Sequence, residues 1–278
     1  MTDRVLGVVL AGGTGSRLLP LTRTINKHVL PVNGRPMLHW PLRALRLAGV
    51  RQVVVVLGGR SCGEIVEQFG TNYDVCDGYG PDVGLGPASL SYVFQEGAGG
   101  IGAALACVEG IAEFARASRL VVVLGDNVFP TRLPDAFGTS APDGVAQVVA
   151  VDAVDAEDRY GCVSVPVDVR SGPVPILDRS RVDLVEKPRR GPPVGQRWLA
   201  LSGAYSFPLG YDLDAGFWSR VRSLKESERG ELEVTDLLRG YLANGRLDVV
   251  GSPSLPWIDA GDPDGYATAN DPAFWRSA

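Results

Sequence analysis

Five runs of consecutive apolar, mostly β-branched residues mark the first half of the chain: "VLGVVLA" (5–11), "QVVVVLG" (52–58), "SYVFQ" (91–95), "LVVVLGD" (120–126) and "AQVVAVD" (146–152). Their apolar positions are continuous rather than alternating. That pattern predicts strands covered on both faces, as in a parallel sheet. Between them the period changes. "PMLHWPLRALRLAGV" (36–50) brings Leu38, Leu42, Leu45 and Ala48 or Gly49 onto one helical face, and Gly49 is placed to cap it. "GIGAALACVEGIAEFARAS" (100–118) carries small and apolar residues at helical spacing. Strands alternating with helices predict an α/β fold, Rossmann-like and doubly wound on a mainly parallel central sheet. After about residue 150 the pattern loosens. The Pro-rich, charged stretch 165–195 predicts antiparallel strands and loops, "PSLPWI" (253–258) a further strand, and 212–224 and 230–245 helices, the second ending at Gly245. No internal repeat, low-complexity tract or flexible linker interrupts the 278 residues, so one domain with two lobes is expected.

Composition narrows the function. A net charge of -5 lacks the cationic surplus that a nucleic-acid backbone demands. No stretch is apolar for long enough to span a bilayer. "MTDRVLGVVL" leads directly into a strand without a signal-peptide pattern, so a cytoplasmic protein is the expectation. Cys62, Cys76, Cys107 and Cys162 lie far apart without a CxxC pair, and there are only 2 histidines. Reduced structural thiols fit this pattern better than a zinc site.

The chemistry starts at the first strand's end. "LAGGTGSRL" is neither of two familiar glycine loops. The dinucleotide fingerprint needs a third glycine where Leu18 stands, which argues against a nicotinamide-dependent oxidoreductase. The phosphate-loop pattern needs a Lys-Ser or Lys-Thr pair, and none follows. What remains is a strand, then A-G-G-x-G-x-R, with Lys27 ten residues beyond Arg17. Glycine N–H groups can wrap a polyphosphate while the two cations face it. Taken alone, the same residues also fit a surface turn with two solvated cations. Asp126 of "LGDN" ends another buried strand, where open α/β sheets bind ligands, although a lone Asp there is more often a turn or capping residue.

The chain resembles the sugar-1-phosphate nucleotidyltransferases, also called nucleotide-sugar pyrophosphorylases, and within them the glucose-1-phosphate thymidylyltransferases. The likeness rests on "LAGGTGSRLLPLT" with "KHVLPVNGRPMLHWPL", then "LGDNVF", "EKP", "SGAYSF", "SERGELEVTDLL" and "WIDAGD", in the family's order along nearly the whole chain. The resemblance implies a nucleotide-binding lobe over about 1–130 and a sugar-binding lobe over about 131–278. It implies a reaction between a nucleoside triphosphate, dTTP or UTP, and a sugar 1-phosphate, with glucose 1-phosphate as default. Leu10, Ala11, Gly12, Gly13, Thr14 and Gly15 would meet the nucleotide, with Gln95 and Gly100 reading its base. Arg17, Lys27, Asp126 and Lys187 would act on the reacting phosphates. Asn127, Gly161, Glu186, Lys187 and Arg229 would hold the sugar phosphate. Asp126 and Asp259 would hold Mg²⁺, a hard cation suited to paired carboxylates and phosphate oxygens.

Departures from the family keep some choices open. Thymidylyltransferases carry Pro after the base-reading Gln and another Gln three residues after the Gly, whereas Glu96 and Ala103 stand here, so thymine and uracil both remain. His28 replaces a Gln and is either a partly exposed helix-start residue or a phosphate contact. Ala260 replaces a Thr. The connections at 76–89 and 171–181 are longer than usual, leaving the sugar open. The chain stops 19 residues after Asp259, so neither a regulatory helical extension nor a C-terminal β-helix is expected, and a homodimer, a monomer or a tetramer all remain open. A non-catalytic nucleotide-sugar binding or regulatory protein on the same fold is the alternative that the intact Arg17, Lys27 and aspartates argue against.

Overall fold

The computed structural model describes residues 4–59, 61–75, 86–97, 99–152, 157–167, 172–175, 182–210, 216–252 and 254–276. Cys76 and most of the two long connections lie outside the described residues. The elements run β1 (Val5–Ala11), β2 (Pro31–Val32), β3 (Arg35–Pro36), α1 (His39–Leu47), β4 (Gln52–Leu57), α2 (Gly63–Phe69), β5 (Asn72–Tyr73), β6 (Ala88–Phe94), α3 (Gly100–Ala106), α4 (Glu109–Phe114), β7 (Arg119–Leu124) and β8 (Asn127–Val128). They continue as β9 (Ala146–Val151), β10 (Gly161–Pro166), β11 (Gly172–Pro175), β12 (Leu184–Glu186), β13 (Gln196–Pro208), α5 (Phe217–Ser223), α6 (Val234–Ala243), β14 (Leu247–Gly251), β15 (Ile258–Asp259), α7 (Pro263–Ala269) and α8 (Pro272–Arg276).

The continuous apolar runs form the centre of the sheet. β7, β1, β4 and β6 are parallel neighbours, with Val8 opposite both Val54 and Val122. Successive side chains of these strands enter opposite layers. Leu6, Val8, Val54 and Val56 pack with Leu105, Phe217 and Leu238 on one face. Val9, Val53, Val55 and Val123 pack with Leu42, Leu45, Ile65 and Phe69 on the other. Burial on both faces explains why the runs do not alternate. A third, smaller cluster joins Leu18, Met37 and Trp40 to Tyr266, Phe274 and Trp275, and so seats α7 and α8 beside the first loop.

The long strand β13 is the pivot of the topology. It runs antiparallel between β7 and β9, and β14 follows parallel to β9. Its N-terminal half also pairs with β10, which in turn carries β12. The antiparallel strands expected after residue 150 therefore grow out of the central sheet. In β13 the register shifts between Leu201 and Tyr205. Gly203 lies within this irregularity at φ 76, where a Cβ would come 3.0 Å from the Asn127 side chain.

Several expectations need correction. The stretch 100–118 is two short helices rather than one. Val108 donates to the Leu105 carbonyl at 3.0 Å, a tighter turn than an α-helix allows, in a segment weakened by glycines. The helix expected over 230–245 starts only at Val234 and ends at Ala243. Before it, Leu232 is drawn into extended pairing, donating to Gly99 at 2.9 Å and accepting from Gly102 at 2.9 Å. Residues 212–215 of the 212–224 segment lie outside the described residues, and the rest is helical over Phe217–Ser223, while the described part of "PSLPWI", 254–258, holds no strand before Ile258. Gly49, by contrast, ends α1 as expected, with φ 85. Among the described residues, no helix is long and apolar enough to cross a membrane.

One glycine fixes how β15 meets α7. A Cβ on Gly265 would lie 1.9 Å from the Asp259 carbonyl oxygen. Gly265→Ala must push the helix off the strand, an overpacking cost of about 1–3 kcal/mol. Calorimetry should show a melting temperature several degrees below that of the natural chain, and an unchanged melting temperature would refute this close approach.

Candidate active site

The parallel strands β1, β4, β6 and β7 all end on one edge of the sheet, the usual ligand side of such folds. β1 delivers the glycine turn. Leu10 and Ala11 are still strand residues, with Leu10 accepting from the Gly125 N–H at 2.9 Å and Ala11 buried in the core. Gly13 and Thr14 are exposed. The backbone rises through Gly15, at φ 69, into the short turn Ser16–Leu18. Leu18 is buried and pins that turn, which leaves Arg17 60% exposed beside it. Gly58, after β4, comes so close that a Cβ would sit 2.9 Å from Gly12. A Cβ on Gly12 would in turn lie 3.0 Å from Gln95 Oε1. Gln95 thus stands next to the glycine turn, its Nε2 directed at the Gly100 carbonyl at 3.5 Å.

Lys27 reaches the same turn from the other side. Asn26 caps its 3₁₀ turn by accepting from the His28 N–H at 3.0 Å, and the Asn26 N–H donates to Glu64 at 2.7 Å. Lys27 Nζ lies 2.5 Å from Asp126 Oδ2, with the two side chains only 8% and 14% exposed. A Cβ on Gly13 would stand 3.0 Å from the same ammonium. Burial alone would raise the Asp126 carboxyl. Lys27, its hydrogen bond, and then Arg17 outweigh that and hold the group below the ordinary carboxylate range. Asp259 goes the other way, raised by burial and by the neighbouring Asp126 charge.

β8 and β15 pair antiparallel and set Asp259 opposite Asn127. The Ala260 N–H donates to the Asp126 carbonyl at 2.9 Å. A Cβ on Gly261 would meet Asp126 Oδ2 at 2.6 Å, Asp259 Oδ1 at 2.8 Å and Arg17 Nη2 at 3.1 Å. The two carboxylates and the arginine therefore face one small volume. Asp126 and Asp259 could hold a divalent metal. Among the described residues, no group of three or more His, Cys, Asp or Glu is arranged for one. Two hard carboxylate oxygen donors fit a cation such as Mg²⁺, which Asp126 and Asp259 would hold.

The second half of the site lies where β10, β12 and α6 meet. Gly161 is opposite Glu186 in the ladder, and a Cβ on it would lie 3.0 Å from Glu186 Oε2. Glu186 accepts from Thr235 at 2.7 Å and from Arg229 at 3.2 Å. Arg229 also lies against Glu231 at 3.3 Å and Glu233 at 2.7 Å. Lys187 adopts φ 48, a left-handed conformation costing about 1–2 kcal/mol. Its N–H donates to the Tyr160 carbonyl at 3.0 Å, which holds the turn. Asn127 connects the halves. It accepts from Trp257 Nε1 at 2.6 Å and donates to Asp126 at 3.1 Å, while Trp257 meets Tyr160 edge-on at 5.0 Å.

The sequence-predicted residues thus form two adjoining groups. Sequence reasoning gave no role to Gly58, Thr235, Arg159 and Asp262, although Thr235 and Asp262 stand within "SERGELEVTDLL" and "WIDAGD" and Gly58 opens the glycine pair after β4. His28 is corrected. It is 1% exposed, with Nδ1 hydrogen-bonded to Asn26 at 2.9 Å, so it is a buried residue and not a partly exposed one. The space that buries it comes from Gly125, where a Cβ would lie 2.8 Å from the imidazole.

Residues 6–273 match the family model described as Nucleotidyl transferase. The glucose-1-phosphate thymidylyltransferase of Neisseria meningitidis is 32% identical over 260 residues, covering 92% of this chain and 77% of that protein. That of Mycobacterium tuberculosis is 30% identical over 271 residues, covering 95% and 81%. A solved structure from Bacillus anthracis, carried under the same enzyme name and bound to sucrose, is 30% identical with a TM-score of 0.72, covering 99% of this chain and 96% of its own. A UDP-glucose pyrophosphorylase bound to UDP-glucose shares the fold at 22% identity, with a TM-score of 0.76 over 99% of this chain and 100% of its own.

Burial, then the Lys27 charge, lowers the His28 pKa from 6.5 to about 3. The unfolded chain takes up a proton below pH 6.5 that the folded chain refuses until about pH 3. Stability from this group is therefore complete above pH 6.5 and is lost as the pH falls towards 3. Compared with His28→Gln, the natural chain should lose about 2 kcal/mol of relative stability between pH 7.5 and 5 by linkage. Denaturant melts of both chains at the two pH values test this, and parallel pH curves would refute it.

Proposed function

The chain belongs to the nucleotidyl transferase family as an enzyme of the sugar-1-phosphate nucleotidyltransferase kind, and from that premise we propose how its residues divide the work. The nucleoside triphosphate is dTTP, with UTP as the second choice, and the acceptor is glucose 1-phosphate. An oxygen of the sugar phosphate attacks the α-phosphorus. The bond between the α-phosphorus and the bridging oxygen breaks, and pyrophosphate leaves with that electron pair. The attacking oxygen belongs to a phosphate already ionised near neutral pH, so no general base is needed. Positioning and neutralisation of charge supply the rate.

The observation that carries this reading is the shared volume beside Gly261, bounded by Asp126, Asp259 and Arg17, with Lys27 and the glycine turn against it. Gly12, Gly13, Thr14 and Gly15 cradle the triphosphate with backbone N–H groups, on the lobe of residues about 1–130. Arg17 and Lys27 stabilise the charge that moves onto pyrophosphate. Gln95 and Gly100 read the pyrimidine edge. On the other lobe Glu186 accepts sugar hydroxyls, Gly161 lets the sugar lie close to the backbone, and Lys187 and Arg229 hold the sugar phosphate. Asn127 spans the junction. Mg²⁺ held by Asp126 and Asp259, when bound, neutralises phosphate charge between them.

A pyrophosphate-release screen of five nucleoside triphosphates against a panel of sugar 1-phosphates, with Mg²⁺, tests the reading. Release should be greatest with dTTP and glucose 1-phosphate and should vanish on chelation with EDTA. Asp126→Asn and Arg17→Ala should each lower turnover by roughly 10²–10³-fold with an intact circular-dichroism spectrum. Near-normal turnover in both variants would overturn the assignment.

A further inference from the structure

Asp262 ends the turn that carries Asp259 and begins α7, and its two carboxylate oxygens do different things. Oδ1 accepts from the Gly265 N–H at 2.9 Å and caps the helix. Oδ2 faces two arginines instead. Arg159 Nη2 is in direct contact with it, and Arg17 Nη1 lies 3.8 Å away. A helix cap needs one acceptor and no charge, since Asn serves there as well as Asp. The anionic oxygen is therefore surplus to capping.

The two arginines come from opposite sides of the site. Arg17 belongs to the glycine turn, and its Nη2 borders the volume shared by Asp126 and Asp259. Arg159 immediately precedes Tyr160 and Gly161, whose backbone borders Lys187 and Glu186. The Arg159 guanidinium lies 5.5 Å from the Tyr160 ring centroid, and Tyr160 packs on Trp257. Asp262 is 14% exposed while Arg17 and Arg159 are 60% and 38% exposed, so the fixed partner is the carboxylate.

We infer that Asp262 is a positioning residue, whose second oxygen ties the sugar-side segment at Arg159 and the triphosphate-side Arg17 to the carboxylate-bearing turn. The inference rests on the proposed nucleotidyl transfer, in which two phosphates must meet in line. A surface pair of this kind adds little to stability. Its effect lies in geometry, because a small misplacement of either substrate lowers the frequency of productive alignment.

Asp262→Asn separates the two oxygens, keeping the cap and removing the charge. It should melt within about 2 °C of the natural chain and keep both KM values within about twofold, while kcat falls about tenfold, the scale of a modest misalignment. Arg159→Gln should give a loss of similar size. In the double variant the two losses should not multiply, because both break one contact. Asp262→Ala should lose melting temperature as well as kcat. A natural kcat in Asp262→Asn, or losses that multiply in full, would overturn the inference while the activity of the natural chain upholds the function. Absence of pyrophosphate release from the natural chain with every substrate pair would overturn the function and the inference together.

Discussion

Lys27 and Asp126 meet at 2.5 Å with both side chains largely buried. The pair is the constraint around which this edge of the molecule is arranged. Neither charge would be tolerable there alone, since an isolated buried ion costs several kcal/mol. Their neighbours are correspondingly restricted. Gly13 leaves room for the ammonium, Gly125 leaves room for His28, and Gly261 leaves room for the carboxylate. A second aspartate, Asp259, has its carboxyl in the same small space and is raised by its neighbour's charge. Lys27 and the Arg17 guanidinium both face this pair of carboxylates and favour their charged forms.

The central sheet was legible because burial on both faces leaves a plain mark, uninterrupted β-branched runs. The positions of β1, β4, β7 and β9 follow those runs within a residue or two. The break within the glycine-rich 100–118 segment was not legible, because a tight turn of Val108 onto Leu105 makes it, nor was the late start of α6, because tertiary pairing of Leu232 with Gly99 and Gly102 decides that. Motif residues at strand ends were legible because glycines and charges interrupt apolar runs there. What could not be read was the setting of those residues. Nothing near His28 in the chain announces that Gly125 makes space for it. Asp262 looks like an ordinary helix cap until Arg159, 103 positions earlier, is seen on its other oxygen.

The two halves of the site rely on different materials. The glycine turn and Gly58 work through bare backbone, which can approach a ligand closely and donates N–H groups without side-chain entropy. The opposite half works through a carboxylate network. Arg229 lies among Glu186, Glu231 and Glu233. Such an arginine is oriented before any ligand arrives, and part of its charge is already answered. Under the proposed role of Arg229, a phosphate there shares the guanidinium rather than captures it.

Strand β13 belongs to both halves. Its early residues pair with β10 and its later ones with β7, while β9 follows along its other side. The change of partner falls between Ala200, the last residue on the β10 ladder, and Ala204, the first on the β7 ladder, where the β9 register also shifts and Gly203 stands at φ 76. One continuous strand thus carries the backbone of both groups of site residues, and its weakest bonding lies at the place where the one group gives way to the other.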